Sequence, residues 1–73
     1  MIPEPGQVWQ HVRTGGLYEI VCNAQEEATL RLLTVYRSRS DGQFWARPTT
    51  EFCDGRFVLC SELTHTIISI LEQ

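Results

Sequence analysis

Every permanent side-chain cation in this 73-residue chain is an arginine: there are six of them and no lysine. Each is a planar fork of donors suited to carboxylate or phosphate. Arg47 follows Trp45 by two residues in Phe44-Trp45-Ala46-Arg47, which puts both side chains on one face of an extended strand. Tyr36 and Arg37 close a second strand-like run, and Trp9, His11 and Arg13 recur at a spacing of two. Aromatic plates beside guanidinium groups are what small β domains use to hold bases, phosphates or carboxylates. Trp45, Arg47, Tyr36, Arg37, His11 and Trp9 are therefore the candidate ligand-binding set, and the ligand this chemistry selects is small, anionic and nucleotide-like. In the competing arrangement the aromatics are core, Arg47 pairs with Glu19 or Glu51 and stacks on Trp45, and His11 is a hydrogen-bonded strand histidine.

Other chemistries find less to build on. A structural zinc site needs closely paired ligands, but the nearest cysteines, Cys53 and Cys60, are seven residues apart across a turn signal. Nucleophilic catalysis needs a nucleophile, a base and an orienting group; no nucleophile-elbow motif occurs, and so short a chain has little room for a walled pocket. Gly15-Gly16 has neither the spacing nor the lysine of a phosphate-binding loop and reads as a turn. The expectation is a non-catalytic binding module without metal or cofactor.

Composition narrows the partners. Hydrophobic residues make up 42% and charged residues 21%, the profile of a globular domain. The net charge of -3 argues against a general nucleic-acid binder. The charges are uneven, however: residues 30–56 hold five arginines against three acids, a local +2. A single-stranded nucleic-acid binder stays as an alternative, as does a protein-interaction or self-association module. No apolar run is long enough for a bilayer, and Met1–Gly6 lacks the basic and apolar regions of a secretory leader. Three cysteines, an odd number, fit reduced thiols in a cytoplasmic setting. A chain this short has a marginal core, so pairing with a second copy is compatible with it.

The elements that would position these residues are short strands. Pro3, Pro5 and Gly6 form an extended lead-in. Strands are predicted over residues 8–13, 17–22, 29–37 and 44–47, and Pro48 ends the last of them. Gly15-Gly16 and Asp41-Gly42 mark turns, and Asp54-Gly55 between Phe52-Cys53 and Arg56-Phe57-Val58-Leu59 reads as a two-residue hairpin. The fold class is all-β, an antiparallel meander of about five strands curled into an SH3-like half-barrel over residues 1–60. From Ser61 the period changes: Leu63, Ile67, Ile70 and Leu71 form one apolar stripe, with Glu62, His65, Ser69 and Glu72 opposite. Residues 61–73 read as a short helix, with an extra strand as the alternative, packed on the domain or on a partner copy.

The ordered set Gly6-x-x-Trp9-x-His11-x-Arg13-x-Gly15, Leu17-Tyr18-Glu19-Ile20-Val21, Thr34-Val35-Tyr36-Arg37, Phe44-Trp45-Ala46-Arg47-Pro48, Glu51-Phe52 and Arg56-Phe57 resembles family 1653 of the domains of unknown function. The resemblance covers roughly residues 6 to 57. It departs at Trp9, where tyrosine is usual, at Val12, which replaces an aromatic, and at Arg13, which replaces lysine. It implies a compact β-rich domain of the kind found in small bacterial and phage proteins, and it implies no enzymatic activity or cofactor.

Overall fold

The computed structural model describes residues 2–60. Five strands, β1 (Val8–His11), β2 (Leu17–Gln25), β3 (Leu32–Ser38), β4 (Phe44–Pro48) and β5 (Phe57–Leu59), form one open antiparallel sheet in the order β4-β3-β2-β1-β5. This is the expected small all-β meander, with β5 returning to pair beside β1. The tail read as a helix from Ser61 lies outside the described residues.

Side chains alternate about this sheet apart from one bulge in β2, and cross-strand partners share a face. Trp9 pairs with Tyr18 and Leu59, His11 with Phe57, Ile20 with Tyr36, and Tyr36 with Trp45. That inner face holds the core: Trp9, Ile20, Tyr36, Phe52 and Phe57, with Tyr18 and Leu59 against it. A bulge at Val21 and Cys22, both opposite Val35, restores the alternation further along β2. β2 runs to Gln25, past the predicted end at residue 22 and through the polar Asn23. Its side chain earns that place: the amide donates to the Pro3 carbonyl at 2.7 Å and its oxygen accepts from Thr34 at 3.3 Å.

Residues 49–56 correct the sequence reading. The predicted hairpin at Asp54-Gly55 is absent; Thr49–Glu51 form α1, and Phe52–Arg56 continue as a wider helical turn. Pro48 ends the ladder, since it has no amide hydrogen for a further rung. Gly55 ends the turn at φ 108°, a conformation that glycine adopts without steric cost. The segment folds back over the sheet and drops Phe52 into the core, fully buried. Thr49 and Thr34 share a buried hydroxyl–hydroxyl bond of 2.9 Å, which ties α1 to β3.

The β3 strand also starts later than expected, because residues 26–31 form the turn of the β2–β3 hairpin. The Glu26 amide donates to the Arg31 carbonyl and the Leu30 amide to Glu26. Leu30 carries this turn at φ 61°, in the left-handed region, with its side chain 68% exposed. A leucine there is strained by about 1 kcal/mol relative to glycine. Leu30→Gly is therefore expected to raise the thermal midpoint by a few degrees, given about 4–8 °C per kcal/mol in a domain this small. Calorimetric melting of both proteins checks this.

Burial pushes the Tyr36 phenol above its ordinary pKa; the Arg47 charge opposes the shift and the Tyr18 ring adds to it. A raised value means that folding favours the neutral phenol. Its contribution is complete below the unfolded value of about 10 and is lost as pH rises through the higher folded value. Melting temperatures should fall as pH climbs above 10, and Tyr36→Phe should flatten that fall. Thermal unfolding from pH 8 to 11.5 reads both.

Candidate functional site

The candidate site grows out of the aromatic core at one end of the sheet. Phe57, the first residue of β5, stacks on Phe52 with centroids 4.2 Å apart and planes 10° from parallel. Tyr36 and Tyr18 meet Phe57 at 5.5 and 5.6 Å in edge-on geometry, and the His11 ring meets it at 4.9 Å. Arg47, opposite Thr34 on the inner face of β4, lays its guanidinium over the same ring at 5.7 Å from the centroid. A cation over an aromatic face at this distance gains electrostatic attraction from the ring quadrupole. Phe57 thus holds His11 and Arg47 from two strands that are not neighbours in the sheet.

Two loops complete the surroundings. The Val12 amide donates to the Arg56 carbonyl at 2.9 Å, which brings the β1–β2 loop against the 52–56 turn. Between them and Arg47 opens a cleft of about 680 Å³, lined by His11, Val12, Arg13, Arg47, Asp54, Gly55 and Arg56. Asp54 is already engaged: its carboxylate accepts the Arg56 amide at 3.2 Å and pairs with the Arg56 Nε at 3.1 Å. Among the described residues Arg13 and Arg47 have no ion pair. Among the described residues the cleft therefore carries two guanidinium groups without a carboxylate partner.

The Nη1 nitrogen of Arg47 is buried and has no hydrogen-bond partner among the described residues. A buried donor with no acceptor costs about 1–3 kcal/mol, more when charged. His11 contributes a second polar group. Its Nδ1 accepts the Thr14 amide at 3.3 Å and lies 3.2 Å from the Thr14 hydroxyl. Accepting at Nδ1 leaves Nε2 to carry the ring hydrogen as a donor.

Of the six residues singled out by sequence, the structure brings Arg47 and His11 to this cleft. Trp9 and Tyr36 are core, 4% and 5% exposed, and Trp9 spends its indole hydrogen on the Gln7 side chain at 3.1 Å. Arg37 projects from the opposite face of the sheet, beside Glu19 at 3.8 Å. Trp45 shares the inner face of β4 with Arg47 and is 52% exposed, but it does not line the cleft. The pairing of Arg47 with Glu19 or Glu51 does not form. Sequence reasoning left Arg13 and Arg56 outside the set; the local signal that could have found them is the paired turns, Gly15-Gly16 and Asp54-Gly55, that carry their neighbours.

A second cleft, about 470 Å³, is bordered by Leu32, Pro48, Thr49 and Cys53, with Arg31 its one charged lining residue. It is mainly apolar and lacks an orphaned donor. Among the described residues no group of three or more His, Cys, Asp or Glu side chains is arranged to hold a metal ion.

Fold and site together define a small all-β domain with an arginine-lined cleft beside its aromatic core. The chain belongs to the family described as "Protein of unknown function (DUF1653)", whose model matches residues 7–57 and so takes in every residue that lines the larger cleft. No curated protein and no solved structure matches it.

The orphaned nitrogen makes a stability prediction. Arg47→Met keeps most of the apolar stem and removes the unpaired charge, together with the guanidinium that lies over Phe57. Urea unfolding of the ligand-free variant should give a stability equal to or above that of the parent, in line with replacing buried charge by apolar volume. A loss of more than about 2 kcal/mol, the scale of a broken buried interaction, would contradict it.

Proposed function

We propose that this protein is a non-catalytic binding module whose ligand is a small nucleotide-like anion, held by Arg47, Arg13 and His11 in the cleft beside Phe57. The observation that carries this reading is a cleft with surplus positive charge among whose lining residues is Arg47, a guanidinium with no ion pair and with its buried Nη1 unpartnered among the described residues. The cleft volume of about 680 Å³ is in the range of small-molecule sites. A phosphate or carboxylate would satisfy the guanidinium donors, and Trp45, two residues away on the same strand face, offers an exposed ring on which a base could stack.

The strand order agrees with an SH3-like half-barrel, in which a short helical turn precedes the last strand and that strand returns to the first. We take the compartment to be cytoplasmic and the source bacterial or phage. The chain has three cysteines, an odd number, and no helix among the described residues is long and apolar enough to cross a membrane. A single-stranded nucleic-acid track is less well supported. It needs the arginines on one surface, yet Arg37 and Arg47 project from opposite faces of the sheet.

The test is a thermal-shift panel of inorganic phosphate, nucleoside monophosphates and dicarboxylates, with calorimetry on each hit, for the parent, Arg47→Lys and Arg47→Met. At least one anion should raise the parent's melting temperature. Arg47→Lys should bind it about tenfold or more weakly, because the charge remains while the fork is lost. Arg47→Met should not bind it at all. A parent that responds to no anion, or variants that bind as well as the parent, would retire the reading.

A further inference from the structure

Among the described residues β4 pairs with β3 alone and β5 with β1 alone, so these strands are the two edges of the sheet. Edge strands are ordinarily guarded by brevity, charge or proline. β5 has three residues, whereas β4 has five. The middle of β4, Phe44-Trp45-Ala46, carries no charge and is exposed throughout, Phe44 at 56% and Trp45 at 52%. Arg47, the cation of this strand, is turned over Phe57 instead. The hairpin fixes which backbone groups point outward. The Ser38 amide donates to the Gln43 carbonyl at 2.9 Å, so hydrogen-bonded positions toward β3 recur at Trp45 and Arg47. The amides and carbonyls of Phe44 and Ala46 therefore face away from the sheet. Pro48 is next in that outward row, and it has no amide hydrogen to offer.

We propose that this edge is where two copies of the chain join, β4 against β4 in antiparallel register, with the two-fold axis at Trp45. A two-fold interface must be complementary to itself, and β4 is so about this one position. With the axis there, Phe44 lies opposite Ala46 of the second copy, and Ala46 opposite its Phe44. Both are outward-facing positions, so each pair exchanges both of its backbone hydrogen bonds. The large Phe44 ring then has a small residue beside it. The two Trp45 side chains meet as a non-hydrogen-bonded pair, the closer of the two kinds, and cross-strand aromatic pairs are favourable. Arg47 falls opposite the neutral Gln43 of the second copy, so no like charges are set face to face. Neighbouring axes fit worse. An axis at Ala46 places Phe44 opposite Pro48, which cannot return a bond. An axis at Phe44 places Ala46 opposite Gly42, whose amide already donates to Ser38. The pairing goes beyond the anion reading and leaves the cleft arginines in place, because Phe44, Trp45 and Ala46 do not line the cleft.

Sedimentation and native mass spectrometry of the full chain across a concentration series should report a dimer that dissociates on dilution. Ala46→Pro removes an outward donor but no β3–β4 bond, and Trp45→Arg sets two like charges on the axis. Both variants should be monomeric with the circular dichroism of the parent. An equimolar mixture of Trp45→Arg and Trp45→Asp should regain the dimer, as an axis at this residue requires. Amide hydrogen exchange tests the parent without any variant. The Phe44 and Ala46 amides should exchange about tenfold more slowly in the dimer than after dilution, while the Tyr36 amide, which faces β4, stays slow throughout. A parent that is monomeric up to millimolar concentration overturns the proposal. So does a dimer that survives both Ala46→Pro and Trp45→Arg, or exchange at Phe44 and Ala46 that dilution leaves unchanged.

Discussion

The cleft end of this domain is organised around the Phe52–Phe57 stack. The two rings lie nearly parallel at 4.2 Å, one from a helical turn and the other from the strand that follows it. Without that contact the 49–56 segment would keep the Thr34–Thr49 and Val12–Arg56 bonds but lose the ring packing that joins it to β5. The cover of the inner face and the Asp54–Arg56 wall of the cleft would both be loosened. Phe57 is also the surface on which His11 and Arg47 rest. One ring thus links the hydrophobic core to the cationic cleft, so the site inherits its rigidity from the core rather than from its loops.

That economy has a cost. A guanidinium placed over a core ring, with one nitrogen buried and unmatched, is a poor choice for stability alone. Nearby, buried polar groups are fully engaged: Thr34, Thr49 and Asn23 form a chain of hydrogen bonds that reaches the Pro3 carbonyl. The contrast within one small sheet sets Arg47 apart. Among the described residues the buried polar atoms that serve the fold are satisfied, and one atom of an arginine that lines the cleft is not. A local rule broken beside a cavity is the pattern expected of a binding site.

Much of the fold was legible in the sequence because strand signals are local. Alternation and β-branched residues located four strands, and Pro48 marked the end of one of them. The 49–56 segment was not legible, because Asp54-Gly55 has the composition of a hairpin turn and only the tertiary burial of Phe52 makes it part of a helical one. The Leu30 turn was hidden for a related reason: a leucine at positive φ is imposed by the hairpin and not encoded by its own preference. At the site, the two-residue spacing from Trp45 identified Arg47, and the spacing from Trp9 identified His11. Trp9 and Tyr36 could not be separated from them by type, since the same aromatics serve a core or a ligand. The turn signals beside Arg13 and Arg56 mark two loops, but the Val12–Arg56 bond that brings those loops together is a tertiary contact that the turns alone do not announce.

The most direct measurement is a side-chain nitrogen–proton correlation spectrum of the arginines, recorded by NMR while a nucleoside monophosphate is titrated in. The account predicts that the Arg47 guanidinium resonances move and become protected from solvent exchange, with smaller movement at Arg13. The Arg37 signals, on the far side of the sheet beside Glu19, should stay in place. Equal shifts at Arg37, Arg39 and Arg47 would mean diffuse surface charge, and no shift at Arg47 would contradict the central claim.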